Sequence, residues 1–139
     1  MNEKGIEQLK EHEGFRAKPY RCTAGKLTIG YGTNLDAGVT EEEADKLLEM
    51  DIDEIEDVFK AKMPDWYFRL LPCRQSVLIN MAYNLGINGL MKFKRMFDAL
   101  GKDDFETASE EMLNSRWAAQ VGNRAKELSK QMRTGKWSF

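Results

Sequence analysis

The stretch HEGFRAKPYRCTAGKLTIGYGTN, residues 12–34, decides how the rest of the chain is read. It opens on Glu13-Gly14, where a helix would stop, because glycine enters the conformations that end a helix without steric cost. Pro19, Ala24-Gly25, Gly30 and Gly32 then punctuate short runs that hold Tyr20, Leu27, Ile29 and Tyr31. That alternation of turn formers and β-favouring residues predicts a small antiparallel hairpin or meander from Lys18 to Asn34, the one convincing β signal in the chain.

Outward from this stretch the pattern is helical. Asn2 caps a first helix through His12, with Ile6 and Leu9 on one face, which leaves Glu13 at its C-terminal end. Thr40 and Glu43 form a capping box, and Ala44, Leu47, Leu48, Ile52, Ile55 and Phe59 recur at helical spacing, so a long helix should run to about Lys62 and close at Pro64. Beyond Pro72 the apolar positions Val77, Leu78, Met81, Ala82 and Leu85 define a helix stopped by Gly86. Leu90 to Leu100 reads as one helix stopped by Gly101, and Phe105, Ala108 and Met112 as another. Short helices around Arg116-Trp117 and from Asn123 to Arg133 complete the set, with Gly135 as the last stop. The class is α+β, in one domain: a small N-terminal β-hairpin lobe, about residues 13–62, joined by a long helix to a larger helical lobe, about 1–12 and 63–139.

With 139 residues, 42% of them apolar, the chain buries a substantial single core and has no room for a second module. The net charge of −2 gives no global basic field, which argues against nucleic acid as a partner. Charge is nonetheless segregated: eleven acidic residues and one lysine lie between Asp36 and Asp57, against six basic residues and one glutamate from Asn114 to Phe139. Solvated helix faces produce such counts as readily as a basic face for an anionic polymer. No targeting segment is recognisable and no run approaches the roughly 20 apolar residues of a membrane span, so synthesis in the cytosol without membrane insertion is expected. Cys22 and Cys73 lack a CxxC arrangement and are expected as free thiols, and the single histidine, His12, rules out HExxH zinc chemistry by counting. No metal or organic cofactor is implied.

Glycoside hydrolysis needs a proton donor on one side of the sugar bond and, on the other, a group that handles water or the anomeric carbon. A helix-end acid at Glu13, facing a hairpin that bears the Cys22 thiol and the Thr28 hydroxyl, can supply both. Taken alone the pattern is common, since Glu-Gly ends many helices and a cysteine in a turn is usually incidental.

Residues 12–34 closely resemble the N-terminal signature of the phage-type lysozymes, glycoside hydrolase family 24, best known from the T-even phages. That family places a catalytic Glu, eight residues, an Asp or in some members a Cys, five residues, and a Thr; Glu13, Cys22 and Thr28 reproduce the spacing without a gap. LINMAYNLG at 78–86, SRWAAQVGNRAKE at 115–127 and RTGKW at 133–137 resemble the family's later segments in the same order. The resemblance implies a lysozyme-like fold and a muramidase acting on bacterial peptidoglycan, in the service of phage-driven host lysis. It also implies a monomer that waits in the host cytoplasm until a holin opens the way to the periplasm. Leu35 to Val39 stands where the T-even enzyme has a longer insertion, which predicts a trimmed small lobe and a shallower cleft, and Thr33 stands where that enzyme has a histidine.

The roles so implied make Glu13 the general acid, protonated when substrate expels water, with Arg124 packed behind it as its cationic partner. Cys22 cannot act as an ordinary carboxylate, because a thiol with a pKa of about 8.5 is mostly neutral at pH 7 unless its surroundings lower it. Either it attacks the anomeric carbon as a thiolate, or it helps Thr28 hold and polarise a water. Asn34 and Tyr83 resemble cleft residues that contact the sugar, although Tyr83 follows Met81 and Ala82 on an apolar helix and core packing is an equal reading. Trp117 and Trp137 are expected in the core, Cys73 as a small buried residue, and His12 as an exposed helix-end residue. Two alternatives keep the same residues: a lytic transglycosylase that uses Glu13 as both base and acid, and an inactive wall-binding prophage remnant.

Overall fold

The computed structural model describes all residues, Met1–Phe139. Two compact units divide the chain, Met1–Leu47 and Leu48–Phe139.

The first unit begins with α1, Glu3–Glu13. Asn2 Oδ1 accepts the Gly5 N–H at 2.9 Å, and Gly14, at φ 72°, donates its N–H to the Lys10 carbonyl and ends the helix. A three-stranded antiparallel meander follows in the order β1 (Arg16–Arg21), β2 (Leu27–Gly30), β3 (Thr33–Asn34). Tyr20 pairs with Thr28 and Arg21 with Leu27, while the register slips between Arg16 and Tyr20. Pro19 lies in that interval, and a residue without an N–H is tolerated there because β1 is an edge strand. A single 3-10 turn, Leu35–Ala37, leads away from β3. α1 groups with this unit, whereas the expected division put residues 1–12 with the helical lobe; its last turns sit on the meander, with Lys10 Nζ 5.7 Å from the Tyr31 ring centroid. Thr28 is the one buried residue between Met1 and Leu47.

α2, Glu41–Lys62, runs across the boundary between the units. Its capping box is reciprocal as expected: Thr40 Oγ1 accepts the Glu43 N–H and Glu43 Oε1 accepts the Thr40 N–H, both at 3.1 Å. After it come α3 (Asp65–Arg69), α4 (Pro72–Leu85), α5 (Ile87–Met91), α6 (Lys94–Gly101), α7 (Phe105–Leu113), α8 (Arg116–Val121) and α9 (Asn123–Thr134). α7 packs on α6 and α9, and α4 on α5 and α9. Between them lies a core that includes Phe59, Leu78, Leu90, Leu100 and Leu128, and also Met63, Met81, Met96, Met112 and Met132. No helix is long and apolar enough to cross a membrane.

Two further expectations are corrected. The single helix from Leu90 to Leu100 is two, broken at Lys92-Phe93, where Phe93 leaves helical geometry (φ −78°, ψ 58°) and meets Trp117 edge to face at 6.2 Å. The apolar rhythm runs through the break because both pieces bury their apolar residues in the same core. Gly101 ends α6 as expected, lying against the Trp66 indole, and the chain reverses at Asp103 with φ 55°. Trp137 is 57% exposed rather than buried, because it lies beyond the Gly135 stop and stacks edge to face on Phe139. Trp117 is in the core as expected, its Nε1–H donating to Asn84 Oδ1 at 2.8 Å. Cys73 is buried, both cysteines are free thiols, and His12 is exposed.

The C-terminal helix is clasped by Arg74 on α4. Its Nε donates to the Met132 carbonyl at 2.7 Å and its Nη2 to the Arg133 carbonyl at 3.2 Å, while the guanidinium lies 3.5 Å from the Phe105 ring centroid. Gly135 follows in the left-handed conformation, where a Cβ would come within 3.1 Å of the guanidinium.

Candidate active site

Glu13, Cys22 and Thr28 all belong to the first unit. Glu13 is the last residue of α1, and its exposed side chain turns toward the β2–β3 connection, since a Cβ built on Gly32 would stand 3.0 Å from Glu13 Oε2. Gly32, at φ 88°, is therefore glycine for two reasons: its backbone conformation and the carboxylate beside it. Ile6, Leu9, Lys10 and Tyr31 line a hollow of about 340 Å³ with Glu13 and Gly32.

Cys22 and Thr28 flank the β1–β2 turn. The Gly25 N–H donates to the Cys22 carbonyl at 2.8 Å and the Cys22 N–H to the Lys26 carbonyl at 3.0 Å, which closes the turn over Gly25 at φ 78°. Cys22 is half-buried. The backbone groups of Lys26 and Ala24 favour its thiolate and outweigh desolvation, which holds the pKa below the ordinary thiol value. Thr28 is 4% exposed, and its Oγ1 donates to the Lys26 carbonyl at 2.9 Å. A hydroxyl has one proton, so with that proton committed its lone pairs are the part left to meet a water.

Asn34 and Asp36 stand on the other flank of β2. Asn34 Oδ1 accepts the Asp36 N–H at 3.0 Å and so caps the 3-10 turn, which leaves the Asn34 amide nitrogen for other acceptors. Asp36, which no motif or spacing singles out, accepts the Leu27 N–H on Oδ2 at 3.2 Å.

In the second unit Tyr83 is 48% exposed, so the core reading does not hold for it. It lines a cavity of about 330 Å³ with Leu48, Ile79, Asn80 and Arg124. Arg124 is fixed by Asn80: its Nε and Nη2 donate to Asn80 Oδ1 at 3.0 and 2.8 Å. Elsewhere in that unit Lys92, Phe93, Arg95, Arg116 and Trp117 line a cavity of about 540 Å³ that sequence reasoning did not find, because its residues come from five separate helices and their connections.

A helix that delivers a carboxylate to a glycine-rich antiparallel meander, followed by a bundle of helices, is the architecture of the lysozyme-like glycosidases, which hydrolyse peptidoglycan. Within that class the chain belongs to the phage lysozyme family, whose profile matches residues 10–134 and so takes in the whole of the signature. It is 29% identical over 130 residues to the endolysin of Acyrthosiphon pisum secondary endosymbiont phage 1, a match that covers 89% of this chain and 85% of that one. It is 31% identical over 130 residues to the endolysin of Bacillus phage B103, covering 88% of this chain but 47% of the relative. It is also 29% identical to the pre-baseplate central spike protein Gp5 of Enterobacteria phage T4, where 93% of this chain corresponds to 27% of the larger protein. The match therefore spans most of one relative and less than half of the other two.

Proposed function

We propose that this lysozyme is a muramidase that hydrolyses the β-1,4 bond between N-acetylmuramic acid and N-acetylglucosamine in bacterial peptidoglycan. In this reading Glu13 gives its proton to the leaving glycosidic oxygen as the bond to the anomeric carbon breaks. A water on the opposite face forms the new carbon–oxygen bond. Thr28 accepts a hydrogen bond from that water and so turns the oxygen lone pair toward the sugar, and Cys22 as thiolate takes up the proton the water sheds. The proton then returns through solvent to Glu13, and no atom is left unaccounted for.

The observation that carries this reading is the state of the Cys22–Thr28 pair. Thr28 is buried with its proton spent on the Lys26 carbonyl, next to a thiol whose backbone neighbours favour the ionised form. A hydroxyl that can only accept, beside a base, suits an attacking water better than it suits a wall-binding surface. Arg124 is the proposed cationic partner of Glu13, the role the resemblance implies. Tyr83 is a proposed sugar contact, supported by its exposure on a cavity. Asn34 contributes at most its amide nitrogen to the sugar, because its carbonyl caps the 3-10 turn. Action on the wall during lysis requires that the membrane between enzyme and wall be opened first, which is the part proposed for a holin.

The test is mass spectrometry of fragments released from purified Gram-negative peptidoglycan by the wild-type protein and by Glu13→Gln, with Cys22→Asp and Cys22→Ser as companions. Muropeptides with reducing N-acetylmuramic acid ends should appear with the wild type and vanish with Glu13→Gln. Cys22→Asp should keep activity and Cys22→Ser should lose about 100-fold, in the range set by removing a general base. Anhydro ends would instead establish a transglycosylase, and no release from the wild type would leave a binding protein.

A further inference from the structure

We infer that Asp36, held by Asn34, is a positioning residue for the reaction, acting on Thr28 and Cys22 through the single peptide plane between Lys26 and Leu27. The carbonyl end of that plane accepts two hydrogen bonds, from the Cys22 N–H at 3.0 Å and from Thr28 Oγ1 at 2.9 Å. The amide end donates to Asp36 Oδ2 at 3.2 Å. One planar unit thus fixes the backbone of the thiol residue and the proton of the hydroxyl, and its orientation is pinned from the opposite edge by a carboxylate.

The need for such a pin follows from the sheet. β3 is only Thr33–Asn34, and its pairing with β2 ends at Thr28 opposite Asn34. Leu27, the first residue of β2, has Arg21 beside it on β1 and no strand residue on the other flank. The chain past Asn34 instead folds back as the 3-10 turn, closed by the Gly38 N–H on the Leu35 carbonyl at 3.0 Å, and offers Asp36 in the place of a strand carbonyl. Asn34 Oδ1 on the Asp36 N–H keeps that turn in register. An anionic acceptor at the N–H end of a peptide also strengthens the carbonyl at its other end as an acceptor, because hydrogen bonds along one chain polarise each other. Asp36 therefore favours the arrangement in which Thr28 gives its proton to Lys26 and keeps its lone pairs for water. Asp36 and Asn34 come out of this as a pair with one task, in which the Asn34 carbonyl oxygen serves the scaffold.

This inference rests on the muramidase reading, and the experiment separates the two. Activity of wild type over Glu13→Gln tests the reading; protection of the Leu27 amide from hydrogen exchange in the wild-type protein, followed by NMR, tests the inference without any variant. Leu27 should be protected in wild type and Asp36→Asn, which retains a side-chain oxygen acceptor, and should exchange as an open amide in Asp36→Ala. On solubilised peptidoglycan strands Asp36→Ala should lose about tenfold in kcat with little change in apparent KM, as expected when a reacting group is displaced rather than removed. Asp36→Asn should recover most of that loss. An unprotected Leu27 amide in the wild type or an unchanged kcat in folded Asp36→Ala would overturn the assignment. Should Asp36→Ala fail to fold, wild-type Leu27 protection and the Asp36→Asn kinetics decide it alone.

Discussion

In the proposed reaction the Cys22 thiol takes the part of a second carboxylate, and its neighbours favour the ionised form. Donors from Lys26 and Ala24 stabilise the thiolate, so the folded protein ionises Cys22 at lower pH than the unfolded chain does. It follows that these contacts contribute stability above the unfolded thiol's pKa, and that the contribution fades as pH falls through the folded value. Alkylation by iodoacetamide, read by mass at Cys22 against pH, should have its midpoint lower in the native protein than in urea, and a midpoint that does not move on unfolding would contradict this. Glu13, Cys22 and Thr28 are legible in the sequence because the roles proposed for them follow a fixed spacing along one short stretch. Asp36 is not. Its bond to Leu27 reaches nine positions along the chain to a backbone group, and neither periodicity nor residue type marks such a bond.

Elements that announce their ends are legible in the sequence, and the others are not. α1 and α2 carry Asn2, Gly14 and the Thr40–Glu43 box, each of which satisfies an otherwise orphaned backbone group, and their limits match. α3 has five residues between Pro64 and Pro72, too few to show a period, and the break between α5 and α6 falls at Lys92-Phe93, with Phe93 packed on Trp117 and no glycine or proline to mark it. The end of α9 depends on a partner distant in sequence. Arg74 satisfies two of its last carbonyls and stacks on Phe105, so Arg74→Ala should cost about 2 kcal/mol in urea unfolding at unchanged m, near the range for hydrogen bonds from a charged donor. Arg74→Lys should recover less than half, because an ammonium cannot offer two parallel donors and a stacking plane together.

Over the whole molecule, burial is divided unequally. Thr28 alone is buried from Met1 to Leu47, while the hydrophobic core lies wholly in Leu48–Phe139, so the hairpin that carries Cys22 and Thr28 belongs to the unit with little apolar burial of its own. The α+β class is visible in the contrast between one glycine-punctuated stretch and long helical periods. This division of burial is not, because Ile6, Leu9 and Leu47 look like core residues in a period and are 44%, 50% and 55% exposed. The helical unit is also filled with sulfur: of the eight methionines, Met63, Met81, Met96, Met112 and Met132 are buried, whereas Met1 and Met50 are 90% and 66% exposed. Under dilute peroxide Met1 and Met50 should become sulfoxides while the fold persists, and the five inner thioethers should react only when the unit opens, which peptide mapping over time would resolve. Each oxidised inner methionine would then be a permanent mark of one past opening, so that an ageing preparation carries in its own side chains a chemical clock of how often it has come apart.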